Sequence, residues 1–241
     1  METKGDKEIH ATFVCLANSK KHGGRCLAGK ASWRGSFNKW IRPVTDRPTE
    51  ELQEPEFRLH TGEDARLLDV LEIRLIRDYP NLHQQENFLM NVSVPLKKVR
   101  TFTIDEATAI VDKPSDLWGI GHSSSKGIND FVAKNEIEAI NNSLYFIRVP
   151  NLKIEITDEY SQSWHRHQKV FRAGFSIGQN PYKLKITDPH FEEKYREKPL
   201  GCYEIEDSLL TISLGEEFNN SYWKLVAGLI PVSYGKNWSV T

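Results

Sequence analysis

The segment CLANSKKHGGRCLAGKASWRGSFNKWIRPV, residues 15–44, indicates how the first half of the chain folds. Apolar, β-prone residues fill positions 11–17, polar residues interrupt them at 18–24, and the apolar pattern resumes at 25–33. Two β-prone runs separated by a short stretch with two glycines are typical of a β-hairpin. A further extended stretch begins at Trp40, so the segment predicts three successive strands.

The same segment is rich in basic residues and contains no acidic ones. It holds seven lysines and arginines together with His22, although the whole chain has a net charge of -1. A second acid-free stretch, residues 160–187, adds five basic residues. We call residues 15–44 window 1 and residues 160–187 window 2. Charge separated in this way predicts two basic surfaces on an acidic body, and therefore an anionic partner.

Length and composition favour either one large β domain or two domains of about 100–120 residues each. Hydrophobic residues make up 39% and charged residues 27% of the 241 positions, as in ordinary globular proteins. No apolar run approaches the ~20 residues that cross a bilayer, and the charged N-terminal residues lack the apolar core of a signal peptide. Three widely spaced cysteines do not indicate a disulfide framework. We therefore expect a reduced, cytoplasmic protein with no membrane partner.

The pattern along the chain predicts two β-rich halves separated by a helical and loop segment. Residues 67–76 alternate in the manner of a half-buried strand. Thr103 can cap a short helix at 104–111, and apolar spacing predicts another helix from about 129 to 141. From residue 143 the β pattern returns. The expected domains are a first β domain at 9–102, a connector at 103–142 and a second β domain at 143–241.

Several blocks of the chain resemble the dual OB-containing domain family of prokaryotic proteins. They occur in order through nearly the whole chain: CLANSKKHGGRCLAG (15–29), KWIRPV (39–44), LLDV (67–70), HQQEN (83–87), DLW (116–118), SLYFI (143–147), YKLKITDP (182–189), SLGEEF (213–218) and YWKLVAGLI (222–230). The resemblance implies a mainly β fold, with two OB-like β-barrels in tandem and a short helical or loop connection. It implies nucleic-acid binding through analogy of fold, because many OB barrels bind single strands. It assigns no catalytic residues.

The loop around Gly23 and Gly24 is a candidate anion-binding site. Glycine lets the backbone approach a ligand closely, so that successive N–H groups point at an anion. Lys20, Lys21 and Arg25 would surround that anion with positive charge. The alternative interpretation is a solvated hairpin turn that uses glycine for its geometry and lysine for solubility.

Aromatic residues alternate with cations in both windows, a combination that suits single-stranded nucleic acid because bases stack on the rings and cations hold the phosphates. Trp33 beside Arg34 and Trp164 beside Arg166 are the candidates for stacking, although aromatic side chains of β proteins are often core residues. The predicted nucleic-acid contacts are Lys20, Lys21, His22, Arg25, Trp33, Arg34, Arg42, Trp164, Arg166, Lys169 and Arg172.

The sequence predicts no catalytic residue, no metal and no cofactor. The spacing of Cys15, His22 and Cys26 fits no common zinc pattern, and the pair His165 and His167 has no third ligand at a recognised spacing. The run of His122 followed by three serines suggests a Ser–His pair, but neighbours in sequence do not make a catalytic triad. Phosphate-loop, dinucleotide and zinc-protease motifs do not occur.

The function that these patterns favour is non-catalytic binding of nucleic acid, single-stranded DNA or RNA, or of a nucleotide-like anion. Two alternatives from other classes remain open. The first is an enzyme acting on nucleotides or nucleic acid, with His22 or the His122 loop as its acid–base group. The second is an adaptor that contacts a partner protein. A continuous basic groove would favour nucleic-acid binding. A cleft containing a histidine with a perturbed pKa would favour the enzyme, and a large exposed apolar patch would favour the adaptor.

Overall fold

The computed structural model describes residues 8–161, 165–232 and 239–240, but not the side chains of Trp33, Ser239 and Val240. The chain divides into two compact units. Unit 1 extends to Ile110 and includes Asn141–Ser143, whereas unit 2 contains Val111–Ile140 and begins again at Leu144. Both units are built mostly of strands, which confirms the predicted fold class. Within the described ranges, no helix is long and apolar enough to span a membrane.

Unit 1 is a five-stranded barrel with one further strand and a short helix. Its elements are β1 (Ile9–Lys21), β2 (Gly24–Trp33), β3 (Ser36–Val44), β4 (Asp69–Asp78), β5 (Asn87–Met90), β6 (Lys97–Thr101) and α1 (Ile104–Ala109). β1 pairs with β4 through its first half and with β2 through its second half, so the order β1-β2-β3-β5-β4 returns to β1. β3 and β5 run parallel. These pairings close a ring of the OB type.

The core of unit 1 lies inside this ring, because side chains on a strand alternate between its two faces. Phe13, Leu27, Ile41 and Leu71 come from four different strands and are all buried in one cluster. Gly29 of β2 pairs with Cys15 of β1 and lies against the backbone of Val14. A Cβ atom there would come within 1.8 Å of a backbone oxygen of β1, so the position requires glycine.

Unit 2 repeats the same ring. Its elements are β7 (Phe131–Ala133), a 3₁₀-helix (Lys134–Ala139), β8 (Leu144–Ser161), β9 (Arg166–Ile177), β10 (Asn180–Ile186), α2 (Pro189–Lys194), β11 (Gly201–Phe218), β12 (Ser221–Pro231) and β13 (Ser239–Val240). The order β8-β9-β10-β12-β11 returns to β8, and β10 and β12 run parallel. β8, β9 and β10 therefore correspond to β1, β2 and β3 of unit 1.

The segment between the two predicted domains differs from its sequence-based description. The helix predicted at 104–111 is confirmed as α1, and Thr103 and Glu106 form its capping box. The helix predicted at 129–141 is wrong. Phe131–Ala133 instead form β7, which pairs with β12, and Lys134–Ala139 form the 3₁₀-helix. The apolar spacing there reflects burial of Val132 and Ile137, one in each of these elements.

Candidate nucleic-acid interface

The two basic windows occupy equivalent positions in the two barrels. Window 1 covers the second half of β1 and all of β2 and β3, and window 2 covers the end of β8 and all of β9 and β10. Each window thus contains the second and third strands of its ring and the turn that enters them. These strands and this turn belong to the surface through which OB barrels bind oligonucleotides.

The turn between β1 and β2 brings the predicted cations of unit 1 together. Lys21 pairs with Gly24, and between them His22 and Gly23 have φ values of 45° and 90°. Two successive residues at positive φ make a tight two-residue hairpin of the I′ kind. The backbone of Arg25 exchanges two hydrogen bonds of 2.8 Å with the backbone of Leu52, and these bonds hold the tip of the hairpin in place.

The register of this hairpin places two cations directly opposite each other. Lys20 pairs with Arg25 across the two strands. Lys20 is exposed, and the guanidinium of Arg25 lies 5.3 Å from the centre of the Phe57 ring. Like charges in directly opposite positions destabilise a β-ladder. A phosphate group between these two side chains could accept hydrogen bonds from both, so the hairpin tip of unit 1 suits such a group.

The turn between β2 and β3 carries the next exposed cation. Arg34 and Gly35 have φ values of 51° and 85°, so this turn has the same tight form. Arg34 is exposed and has no ion pair or hydrogen bond within the part of the chain that the structure describes. Trp33 precedes it as the last residue of β2. Lys39, which the list of predicted contacts omitted, is also exposed and lies 5.0 Å from the centre of the Phe88 ring.

Arg42 does not belong to this surface, which corrects its predicted role as a phosphate ligand. The residue is 1% exposed, and its Nη2 atom lies 3.1 Å from Oε1 of Glu86. It also donates hydrogen bonds to Oγ of Ser143 at 2.7 Å and to Oδ1 of Asn87 at 3.3 Å. A buried cation with this set of partners stabilises unit 1 and is out of reach of a strand at the surface.

Three of the predicted contacts of unit 2, namely Arg166, Lys169 and Arg172, lie on β9. Trp164 lies outside the described residues. Arg166 is exposed, pairs with Ser161 in the ladder, and has no ion pair among the residues the structure describes. The ammonium group of Lys169 donates hydrogen bonds to the backbone oxygens of Arg196 and Lys198, at 2.7 and 2.8 Å. Of these cations, Arg166 is the one available to a ligand.

Carboxylates of β8 lie opposite the cations of window 2. Arg172, whose side chain is 11% exposed, forms an ion pair with Glu159, and Lys183 lies 3.2 Å from Glu155. Glu159 also accepts a hydrogen bond of 2.8 Å from Lys126. Burial opposes ionisation of Glu159, but hydrogen bonds from its basic neighbours and Thr157 outweigh it and lower its pKa to about 2. Window 2 is acid-free in sequence, but its strands lie beside acidic residues in space.

We expect the substitution Glu159→Gln to destabilise unit 2 by about 2 kcal/mol at neutral pH, because hydrogen bonds to charged groups contribute roughly 1.5–3 kcal/mol. The pKa of Glu159 is lowered from 4.5 to about 2 on folding, so its contribution is present above pH 4.5 and disappears as the pH falls toward 2. Urea unfolding of both proteins across this range measures the effect. A difference that did not change with pH would show that charge is not its origin.

The acid–base alternatives gain no geometric support. His122 contacts Oε1 of Glu136 at 2.9 Å. Ser123 accepts a hydrogen bond from the backbone of Asn129, and Ser124 donates one of 2.6 Å to Asp130, so both hydroxyls hold the loop in shape. In the described part of the chain, no three His, Cys, Asp or Glu side chains are grouped so that they could hold a metal. That the protein contains no metal remains a prediction.

The ring order and the position of the windows define a tandem OB protein. The family model of the dual OB-containing domain matches residues 11–229, and the chain belongs to this family. No curated protein sequence matches the chain significantly. Among solved structures, the chain is similar to a chain described as "Structure and Conformational Change of a Replication Protein A Heterotrimer Bound to ssDNA". The match has 12% identity and a TM-score of 0.37 and covers 92% of this chain but 49% of that chain. Similarity at this level does not indicate a shared function.

Proposed function

We propose that this protein binds single-stranded nucleic acid, without chemistry, through the equivalent basic surfaces of its two barrels. The observation that supports this most directly is the register of the first hairpin, which places Lys20 opposite Arg25 at the tip of an OB barrel. Two cations in directly opposite positions can hold one phosphate between their side chains. Single strands are the expected class of ligand, because OB surfaces combine cations with stacking platforms.

The two units differ in how many of the proposed contacts are available to a phosphate. In unit 1 they are Lys20, Lys21, His22, Arg25, Trp33, Arg34 and Lys39. In unit 2 they are Trp164 and Arg166, whereas Lys169 and Arg172 would have to exchange their present partners for a phosphate. Unit 1 is therefore the stronger site in this proposal, and unit 2 is a second, weaker site on the same chain.

Binding to single strands should depend strongly on salt and should exceed binding to duplex of the same length. Each phosphate contact contributes about -0.7 to the slope of log K against log salt on single strands. Five basic contacts in unit 1 would give a slope of roughly -3.5. Fluorescence anisotropy of a labelled oligonucleotide, titrated at several salt concentrations, measures this slope.

Two substitutions and a control test which residues contribute to the salt slope. Replacing Lys20 and Arg25 by Gln should reduce the slope by about 1.4, the value for two contacts. Lys113 is exposed and outside both windows, so Lys113→Gln should leave the slope unchanged. An affinity that does not change with salt, or equal affinity for duplex, would contradict the proposal.

A further inference from the structure

Unit 1 contains a pocket of about 400 Å³ whose lining residues all lie outside the two basic windows. Its polar lining consists of His10 and Thr12 from β1, Glu72 and Arg74 from β4, Lys97 from β6, and His60. Four further residues of the lining are apolar. The volume lies within the range of about 300–1,000 Å³ that is usual for small-molecule sites.

The strand register explains why these side chains meet. His10 pairs with Arg74 and Thr12 with Glu72 across β1 and β4, and Glu72 pairs with Lys97 across β4 and β6. Residues that are paired in a ladder point to the same face of the sheet. The three strands therefore present one row of polar groups. The backbone N–H of His60 donates a hydrogen bond of 2.8 Å to the oxygen of Leu96, which holds the loop carrying His60 beside the start of β6.

Arg74 is the informative residue of this pocket. Its Nη1 atom is shielded from solvent and has no hydrogen-bond partner among the described residues. A shielded donor without a partner costs about 1–3 kcal/mol, and more when it is charged. Arg74 also lines the pocket, and its side chain has no ion pair or hydrogen bond among the described residues. An acceptor on a ligand would pair with the part of this guanidinium that solvent can reach.

The other groups specify the chemistry of the acceptor. The ammonium group of Lys97 lies 3.2 Å from Glu72, so one cation of the pocket is already paired with a carboxylate. Arg74 remains as an uncompensated positive charge, and the hydroxyl of Thr12 can donate a hydrogen bond. Guanidinium groups bind phosphate oxygens in pairs, which favours a phosphate over a single acceptor. The carboxylate of Glu72 disfavours a bare anion and favours a ligand that also carries hydroxyl donors.

We propose that this pocket binds the phosphate group of a sugar phosphate of nucleotide size. The phosphate accepts hydrogen bonds from Arg74 and Thr12, and Glu72 accepts one from a sugar hydroxyl. A terminal phosphate of this kind occurs both on free nucleotides and on the 5′ end of a nucleic-acid strand. The site uses none of the residues of the proposed single-strand surface, so the two proposals stand independently.

Isothermal titration calorimetry with adenosine 5′-monophosphate, ribose 5-phosphate and adenosine tests the proposal. The two phosphorylated probes should bind, and adenosine should not. Arg74→Gln should weaken binding about tenfold or more, which corresponds to the loss of one charged hydrogen bond. Lys98→Gln, on the neighbouring strand β6, is the control, because the ammonium of Lys98 pairs with Asp69 and does not line the pocket. It should change the affinity less than twofold.

A second arm separates the two sources of the phosphate. If strand ends are bound, a 5′-phosphorylated oligonucleotide should bind better than its 5′-hydroxyl form. Arg74→Gln should remove that preference without changing the salt slope measured with the 5′-hydroxyl form. Thermal unfolding of each variant checks its fold. If Arg74→Gln does not fold, Thr12→Val, which removes the hydroxyl assigned to the phosphate, takes its place. Failure of both phosphorylated probes and of the strand-end preference, or full affinity in the variants, would overturn the proposal.

Discussion

Charge reversal at the hairpin tip of unit 1 is expected to weaken binding to a long single strand far more than binding to a short one. The variant replaces Lys20, Lys21 and Arg25 by Glu. When two linked sites hold one ligand, the second contact is effectively intramolecular and raises the avidity by about 10²–10⁴ over one site alone. Loss of unit 1 removes this gain on a long strand.

The corresponding variant of unit 2 must leave intact the ion pair and the hydrogen bonds that the cations of window 2 form within the unit. Reversal of Arg172 would place a second carboxylate beside Glu159 and disturb the fold. Reversal of Lys169 would break its two hydrogen bonds to backbone oxygens. Arg166→Glu changes an exposed position that has no ion pair among the described residues, and it avoids both problems. This variant should also lose affinity for long strands.

Strand length is the variable that separates the possible outcomes. One OB fold covers about 4–16 nucleotides, so a short strand reaches one barrel and should respond to one of the two variants. Anisotropy titrations with oligonucleotides of increasing length measure the difference. Equal losses at every length would indicate one compact site. No loss from the variant of unit 2 would confine the binding role to unit 1.

The largest change in stability is expected from Glu86→Gln. This substitution leaves Arg42 as a buried cation without its carboxylate, and breaking a buried ion pair from one side costs about 3–5 kcal/mol. Urea unfolding should show a lower midpoint with an unchanged slope. Replacing both residues by Met should recover much of the loss, because an apolar pair of similar size needs no compensating charge.

A surface pair of the same unit provides the control. Arg58 and Glu54 lie 2.7 Å apart with side chains 39% and 57% exposed. Exposed pairs contribute about 0–1 kcal/mol, so Glu54→Gln should have a small effect. If Glu86→Gln were as mild as this control, the buried pair would not be a principal support of unit 1.

The features that the sequence predicted correctly depend on residues that are close together in the chain. The turn at Gly23, the strand at 67–76 and the cap at Thr103 each depend on residues close together in the chain, and the structure contains each of them. The expectation of a barrel in each half came from the family resemblance. Periodicity alone could not have supplied it, because a barrel depends on pairings between distant residues such as β1 and β4.

The same reasoning explains what the sequence missed. Arg42 is basic and stands in an acid-free segment, but its carboxylate partner lies 44 positions later, at Glu86. Window 2 excludes acids along the chain, yet Glu155 and Glu159 lie in the strand that precedes it and reach its cations through the ladder. The pocket around Arg74 depends on three strands and a loop. A charge pattern read along one segment contains none of this information.

The edge strand β6 affects whether unit 1 can associate with other chains through its sheet. The ring leaves its five strands without open edges, and in the described residues β6 ends the sheet with its outer side unpaired. All five of its residues are exposed, and three of them, Lys97, Lys98 and Arg100, are basic. These cations pair with Glu72, Asp69 and Glu106, so two copies that met along this strand would have to remove charged groups from water, and charged edge strands discourage such pairing. This edge of unit 1 is therefore protected against edge-to-edge aggregation.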